Sequence, residues 1–163
     1  MIHDLDDGGY QSRREIRRAC QEWLANTDAD LFVTLSFAQN VGLDRGRQAL
    51  RRWFAFIDNH YIGRGWARRP SRERTEAFIF AENITTNLHY HSLMRLPPRG
   101  QLQSFDTRAA TLERLWRKIE RRGTCQVEWI QNFGAARYVT KQLVRPGYWE
   151  HFMLASEFHG AGR

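Results

Sequence analysis

The apolar residues of this chain follow two spacings, and the order in which the spacings alternate limits the folds that it can adopt. A spacing of three to four residues predicts amphipathic helices over residues 10–26, 43–61 and 107–121. Short blocks of β-branched and aromatic residues predict strands over residues 31–37, 76–82, 88–96 and 124–131. A last helical pattern starts with Asn132 as its N-cap and ends before Pro146.

After the first helix, the predicted order of elements is β-α-β-β-α-β-α. Its simplest compact arrangement is an antiparallel sheet with helices packed on it, the split βαβ or ferredoxin-like α+β fold. The 163 residues, 42% of them apolar, suffice for one domain with a hydrophobic core. We therefore predict a single domain over residues 1–163, with its core at 31–145 and a C-terminal tail at 146–163.

The chain is strongly basic, with a formal charge of +7. Of its 25 cationic side chains only Lys118 and Lys141 are lysines, so that 23 are arginines. Arginine suits bidentate phosphate contacts and stacking on bases, although a bias in codon usage gives the same count. The charge favours a polyanionic partner and does not separate DNA from RNA or an anionic membrane.

Several classes of protein are disfavoured. No apolar stretch approaches the ~20 residues of a membrane helix, and the first residues lack the pattern of a secretory signal. We therefore expect a cytoplasmic protein without a membrane partner. Cys20 and Cys125 have no CxxC spacing, which argues against a zinc knuckle or a disulfide framework.

Two histidines lie one residue apart in the predicted strand that contains "LHYH". Side chains at i and i+2 of a strand share a face, so His89 and His91 can reach one ion. If the preceding hairpin closes through four residues, Glu82 pairs with His89 and lies on the same face. This N/O donor set suits Mn²⁺, Mg²⁺ or Zn²⁺. A five-residue loop would turn Glu82 away, and half-buried structural histidines are the alternative to a metal site.

A tyrosine and a lysine share the polar face of the last predicted helix. Tyr138 and Lys141 are one turn apart in "YVTK", outside the apolar stripe. A neighbouring ammonium group stabilises a phenolate, which otherwise forms only near pH ~10, so Tyr138 is a candidate nucleophile. A tyrosine that covers the edge of the core is the alternative.

Two regions are candidate DNA-binding segments. The connection at residues 62–76 mixes positive charge with an aromatic ring, as single-strand sites do, and a solvated loop is the alternative. Its candidate side chains are Arg64, Trp66, Arg68, Arg69, Arg72 and Arg74. Arg137 and Arg145 flank Tyr138 and are placed to hold phosphates.

Taken together, "LFVTLSF", "LHYH" and "YVTK", in this order over residues 31–145, resemble the three motifs of HUH endonucleases, specifically of rolling-circle replication initiators with a single catalytic tyrosine. The resemblance implies Mn²⁺ or Mg²⁺ held by His89, His91 and Glu82, and attack by Tyr138 on single-stranded or stem-loop DNA at a replication origin. It implies a 5′-phosphotyrosine link and a free 3′-hydroxyl as products.

The resemblance also implies a phage, plasmid or bacterial protein, a monomer or weak dimer, with a host helicase as a candidate partner. Nothing in the chain resembles a GxxxxGK[ST] helicase loop. Two alternative functions stay open: a single-strand DNA transposase of the same class, and a non-catalytic RNA- or DNA-binding ferredoxin-like module.

Overall fold

The computed structural model describes residues 7–131, 134–141 and 151–159. Five helices are seen in this part of the chain, namely α1 (Asp7–Ala25), α2 (Leu43–Ile62), α3 (Pro98–Gln101), α4 (Phe105–Arg117) and α5 (Gly134–Val139). Five strands accompany them, namely β1 (Leu31–Ser36), β2 (Glu76–Glu82), β3 (His89–Arg95), β4 (Cys125–Trp129) and β5 (Phe152–Leu154). Short 3₁₀ turns lie at Trp66–Arg68, Ser71–Glu73 and Ala155–Phe158.

The strands form one antiparallel sheet in the order β4-β1-β3-β2-β5. Its first four members have the order of the split βαβ arrangement, so the predicted α+β fold is confirmed. Strand β5 was not predicted. It pairs with β2 through Phe78 and Phe80 and covers that edge of the sheet, within the segment expected to be a tail.

One face of the sheet carries the main hydrophobic core. In β1 the side chains alternate strictly, and Leu31, Val33 and Leu35 are fully buried under α2 and α4. Trp53 from α2 and Trp116 from α4 fill the centre of this layer, with ring centroids 5.9 Å apart. The apolar stripes that predicted these helices are thus the faces that they bury.

The opposite face of the sheet is covered in part by α1 and α5. A smaller cluster joins Leu24 of α1 and Leu93 of β3 to Ala136 and Val139 of α5. The Gln21 side chain also donates a hydrogen bond of 2.9 Å to Thr140 Oγ1, just beyond the end of α5. These contacts hold α5 against the sheet face that carries the histidine pair.

No helix in the described ranges has both the length and the apolar character needed to cross a membrane.

Candidate metal and nucleophile site

The β2–β3 hairpin has the register that the sequence predicted. Glu82 is opposite His89 and Phe80 is opposite His91. A compact turn fixes this pairing, because Asn83 adopts left-handed backbone (φ 52°) and its carbonyl accepts from the Thr86 and Asn87 amides. The four-residue closure therefore places Glu82 on the histidine face.

The three predicted metal-binding side chains converge on one point. His89 Nε2 lies 2.8 Å and His91 Nε2 lies 2.9 Å from the same oxygen, Glu82 Oε2. The ligand atoms all lie within 4.8 Å of one another, close enough to hold a metal ion. Glu82 and His91 are buried and His89 is half-buried, so this is an enclosed cluster.

The Nδ1 atom of each histidine also has a polar partner, and these contacts orient the rings toward the carboxylate. His89 Nδ1 lies 3.0 Å from the Asn87 carbonyl, which only accepts, so Nδ1 carries a proton and Nε2 is the nitrogen available to a metal. His91 Nδ1 lies 3.0 Å from Thr34 Oγ1. Nε2 of both rings is directed at Glu82 Oε2, so a bound ion would be held by both rings and the carboxylate, and second hydrogen bonds of this kind orient metal-binding histidines.

Tyr138 lies beside this cluster. Its ring centroid is 5.0 Å from that of His91, and the two rings meet edge to face. Tyr138 is 45% exposed, so a substrate can approach it. Phe32, from β1, stacks on His91 and also contacts the Tyr138 ring, which fixes the relative positions of the three rings.

Lys141 connects the tyrosine to the carboxylate. Its Nζ lies 2.8 Å from Glu82 Oε1 and 3.8 Å from the centroid of the Tyr138 ring. Glu82 thus directs one oxygen to the lysine and the other to the histidines. Partial burial acts to lower the pKa of Lys141, but hydrogen bonds and charge attraction from Glu82 and Tyr138 outweigh it and raise the pKa. The lysine is therefore cationic at neutral pH.

The pKa of His91 shifts in the opposite direction to that of Lys141. Burial lowers the pKa of His91 and outweighs the hydrogen bond and the charge of Glu82, which act to raise it. A neutral imidazole is the form that binds a metal. The site therefore keeps His91 ready as a ligand near neutrality.

A groove of about 1040 Å³ opens beside Tyr138 and His91. Its floor is formed by Phe32 and Thr34 of β1, and by the neighbouring strand β4. Gly134 and Ala135 of α5 form part of its wall. An extended chain lying in this groove would pass beside Tyr138, which lines it.

The predicted DNA-binding arginines differ in their positions. Arg64, Arg68, Arg69 and Arg72 are exposed on the loop that precedes β2, and Arg137 is exposed on α5. The loop ends near Thr75, and the seven residues from there to Glu82 span about 23 Å of strand. The loop therefore lies at the far end of β2 from the metal cluster, while Arg137 is next to the tyrosine. Arg145 lies outside the described residues.

The prediction for Arg74 is wrong. Its side chain is only 3% exposed, and its Nε donates to Asp58 Oδ2 at 2.9 Å. Its guanidinium also covers the ring of Trp66, 4.7 Å from the centroid, so this half-buried tryptophan has one face occupied. The same carboxylate accepts from the Thr75 backbone and hydroxyl. Arg74 therefore stabilises the fold and cannot reach a phosphate.

Three contributors to the site were not identified from the sequence. Thr34 and the Asn87 carbonyl orient the histidines, and Phe32 contacts both His91 and Tyr138. The strand block "LFVTLSF" contains Phe32 and Thr34. They alternate with the core residues Val33 and Leu35, and this alternation is the signal that places them on the face of the sheet opposite the main core.

Comparisons of the chain with protein-family models, with curated proteins and with solved structures found no match.

Proposed function

We propose that this protein is a metal-dependent enzyme that nicks and joins single-stranded DNA through a covalent bond to Tyr138. The observation that carries the proposal is the position of the phenol, whose ring lies 5.0 Å from a histidine of the metal-binding cluster. A tyrosine and a lysine beside a three-ligand cluster match the needs of phosphoryl transfer. The basic charge of +7 suits a polyanionic substrate.

The reaction is a displacement at a phosphodiester. The Tyr138 oxygen bonds to phosphorus while the bond from phosphorus to the 3′ oxygen breaks. The phenolic proton is lost, and the departing 3′ oxygen takes up a proton. The products are a 5′-phosphotyrosine link and a free 3′-hydroxyl, and attack by a 3′-hydroxyl on the link reverses the step. A divalent ion held by Glu82, His89 and His91 would stabilise the charge that develops on the phosphate oxygens.

Lys141 has a double role in this proposal. Its ammonium group lies beside the Tyr138 ring, where it would stabilise the negative charge that develops during the attack, and its contact with Glu82 Oε1 fixes the orientation of the carboxylate. Lys141→Met should therefore slow formation of the covalent link and weaken metal binding. Lys141→Arg, which keeps the charge, should retain part of both, as measured by single-turnover kinetics and by titration with Mn²⁺. Equal activity of the methionine variant and the wild type would contradict this role.

Initiation of rolling-circle replication is the biological process that we propose. A nick there must leave a 3′-hydroxyl for a polymerase and keep the 5′ end for rejoining, which the tyrosine link achieves without a nucleotide cofactor. The substrate would then be a single-stranded or stem-loop segment of an origin. The ion would be Mn²⁺ or Mg²⁺.

The test is a covalent-capture assay. The protein is incubated with a pool of single-stranded and stem-loop oligonucleotides and Mn²⁺, and the linked sequences are read. We expect attachment at the 5′ side of one sequence motif, loss of attachment in Tyr138→Phe, and retention in the matched control Tyr148→Phe. Attachment in the Tyr138→Phe variant, or undiminished attachment in excess chelator, would refute the proposal.

A further inference from the structure

The floor of the groove beside Tyr138 is polar but carries no positive charge. Phe32 and Thr34 of β1 are paired with Glu128 and Gln126 of β4, so the four side chains lie on one face of the sheet. Glu128 and Gln126 are exposed. Among the described residues that line the groove there is no arginine or lysine. A phosphate backbone lying on this floor would be repelled by the Glu128 carboxylate.

The side of α5 that faces α1 has the opposite character. A cleft of about 700 Å³ there contains four arginines, namely Arg14, Arg17, Arg18 and Arg137. Glu15 and Glu22 also line this cleft, which leaves an excess of positive charge. A single strand that crosses α5 at Tyr138 is therefore bound most favourably with phosphates toward the arginines and bases toward the sheet.

Phe32 offers a stacking surface for a base. One face of its ring stacks on His91, with the ring planes 13° apart and the centroids at 5.7 Å. His91 belongs to β3, and β4 lies on the other side of β1. Phe32 also lines the groove, and its cross-strand partner on β4, Glu128, lines it as well. The Cβ atoms of such cross-strand pairs are about 5 Å apart, which brings a stacked base within reach of the carboxylate.

We infer that Phe32 and Glu128 form a nucleobase subsite, in which the carboxylate selects bases with an exocyclic amino group and disfavours thymine. An ionised carboxylate only accepts hydrogen bonds. Cytosine presents an amino group at the position where thymine presents a carbonyl oxygen, and Glu accepts well from that amino group. The inference rests on the proposed function, because it assigns the substrate bases next to the tyrosine.

The experiment measures binding without cleavage. Fluorescence anisotropy in excess chelator gives the affinity of the Tyr138→Phe protein for labelled dC12 and dT12 oligonucleotides at pH 7.5. We expect a preference for dC12 of roughly tenfold, the discrimination given by one hydrogen bond to a charged acceptor. Adding Glu128→Gln should reduce the ratio toward one, because an amide can also donate to the thymine carbonyl.

A matched control removes the effect of total charge. Glu113→Gln changes a partly exposed carboxylate on α4 that pairs with Arg117, and it should leave the ratio of dC12 to dT12 affinities unchanged. Phe32→Leu should weaken binding of both oligonucleotides by roughly 5- to 150-fold, the range for loss of one base–aromatic stack. An equal ratio in the Glu128→Gln and Glu113→Gln proteins, or no initial preference for dC12, would overturn the inference.

The capture assay separates this inference from the proposed function. If Tyr138 forms the metal-dependent link but Glu128→Gln leaves the ratio intact, the subsite is wrong and the nicking function stands. If the ratio responds to Glu128→Gln and no link forms, the groove reads bases and the nicking function is wrong.

Discussion

Thr34 provides a sensitive test of the metal site because it contacts a ligand without being one. Its hydroxyl lies 3.0 Å from His91 Nδ1, and that contact orients the ring with Nε2 toward Glu82. Thr34→Val keeps the shape of the side chain and removes the hydroxyl, while Thr34→Ser keeps the hydroxyl. Loss of such an orienting hydrogen bond weakens metal affinity by roughly 10- to 100-fold.

The linkage between binding and stability gives the size of the effect. Mn²⁺ at 100 times its dissociation constant stabilises the wild type by about 2.7 kcal/mol. For a domain of 163 residues this raises the melting temperature by roughly 5–11 °C. If Thr34→Val binds 100-fold more weakly, the same concentration adds only about 0.4 kcal/mol, or roughly 1 °C.

The assay compares melting curves of metal-stripped protein with and without Mn²⁺, together with calorimetric titration. Thr34→Ser should respond like the wild type, and His91→Ala should show no shift at the concentration that saturates the wild type. The melting temperatures of the metal-free variants serve as the control for folding. A full Mn²⁺ response in Thr34→Val would refute the assignment of His91 as a ligand oriented by this hydroxyl.

Three further predictions concern the stability of the fold. Asp58→Ala leaves Arg74 buried without its carboxylate partner, so the free energy of unfolding measured in urea should fall by about 3–5 kcal/mol. The double variant Asp58→Ala/Arg74→Met should recover part of this loss, and a double variant that is still less stable would contradict the prediction. Gly46→Ala should cost about 1–3 kcal/mol, seen as a lower melting temperature, because the new methyl would overlap the Tyr90 hydroxyl. Burial and then the charge of Arg74 lower the pKa of His159, so the unfolded chain takes up a proton more readily than the folded chain as pH falls through about 6.5. The free energy of unfolding should therefore fall from pH 7.5 to 5.5, and His159→Asn should reduce that slope; an unchanged slope would contradict the assignment.

The hairpin shows which part of the site is local in the sequence. The pairing of Glu82 with His89 depends only on the length of one turn, and the alternation of a strand then places His91 on the same face. The fold class followed similarly from the order of helical and strand spacings. These features could be predicted because each depends on residues that are close together along the chain.

Other features depend on partners that are far apart in sequence. Arg74 resembled the exposed arginines around it, and its burial follows from Asp58, which lies 16 residues earlier on α2. Thr34 was predicted as a strand residue, and its role follows from His91, 57 residues later. Strand β5 has only three residues, too few for a periodic pattern, and it is stabilised by pairing with β2.

The central claim is that Glu82, His89 and His91 hold a divalent ion beside the Tyr138 ring. Anomalous X-ray scattering from a crystal of the protein soaked in Mn²⁺ tests this most directly. We expect a peak within bonding distance of His89 Nε2, His91 Nε2 and a Glu82 oxygen, with Tyr138 next to it. Under conditions in which titration shows that Mn²⁺ is bound, a peak only at other residues would contradict the account.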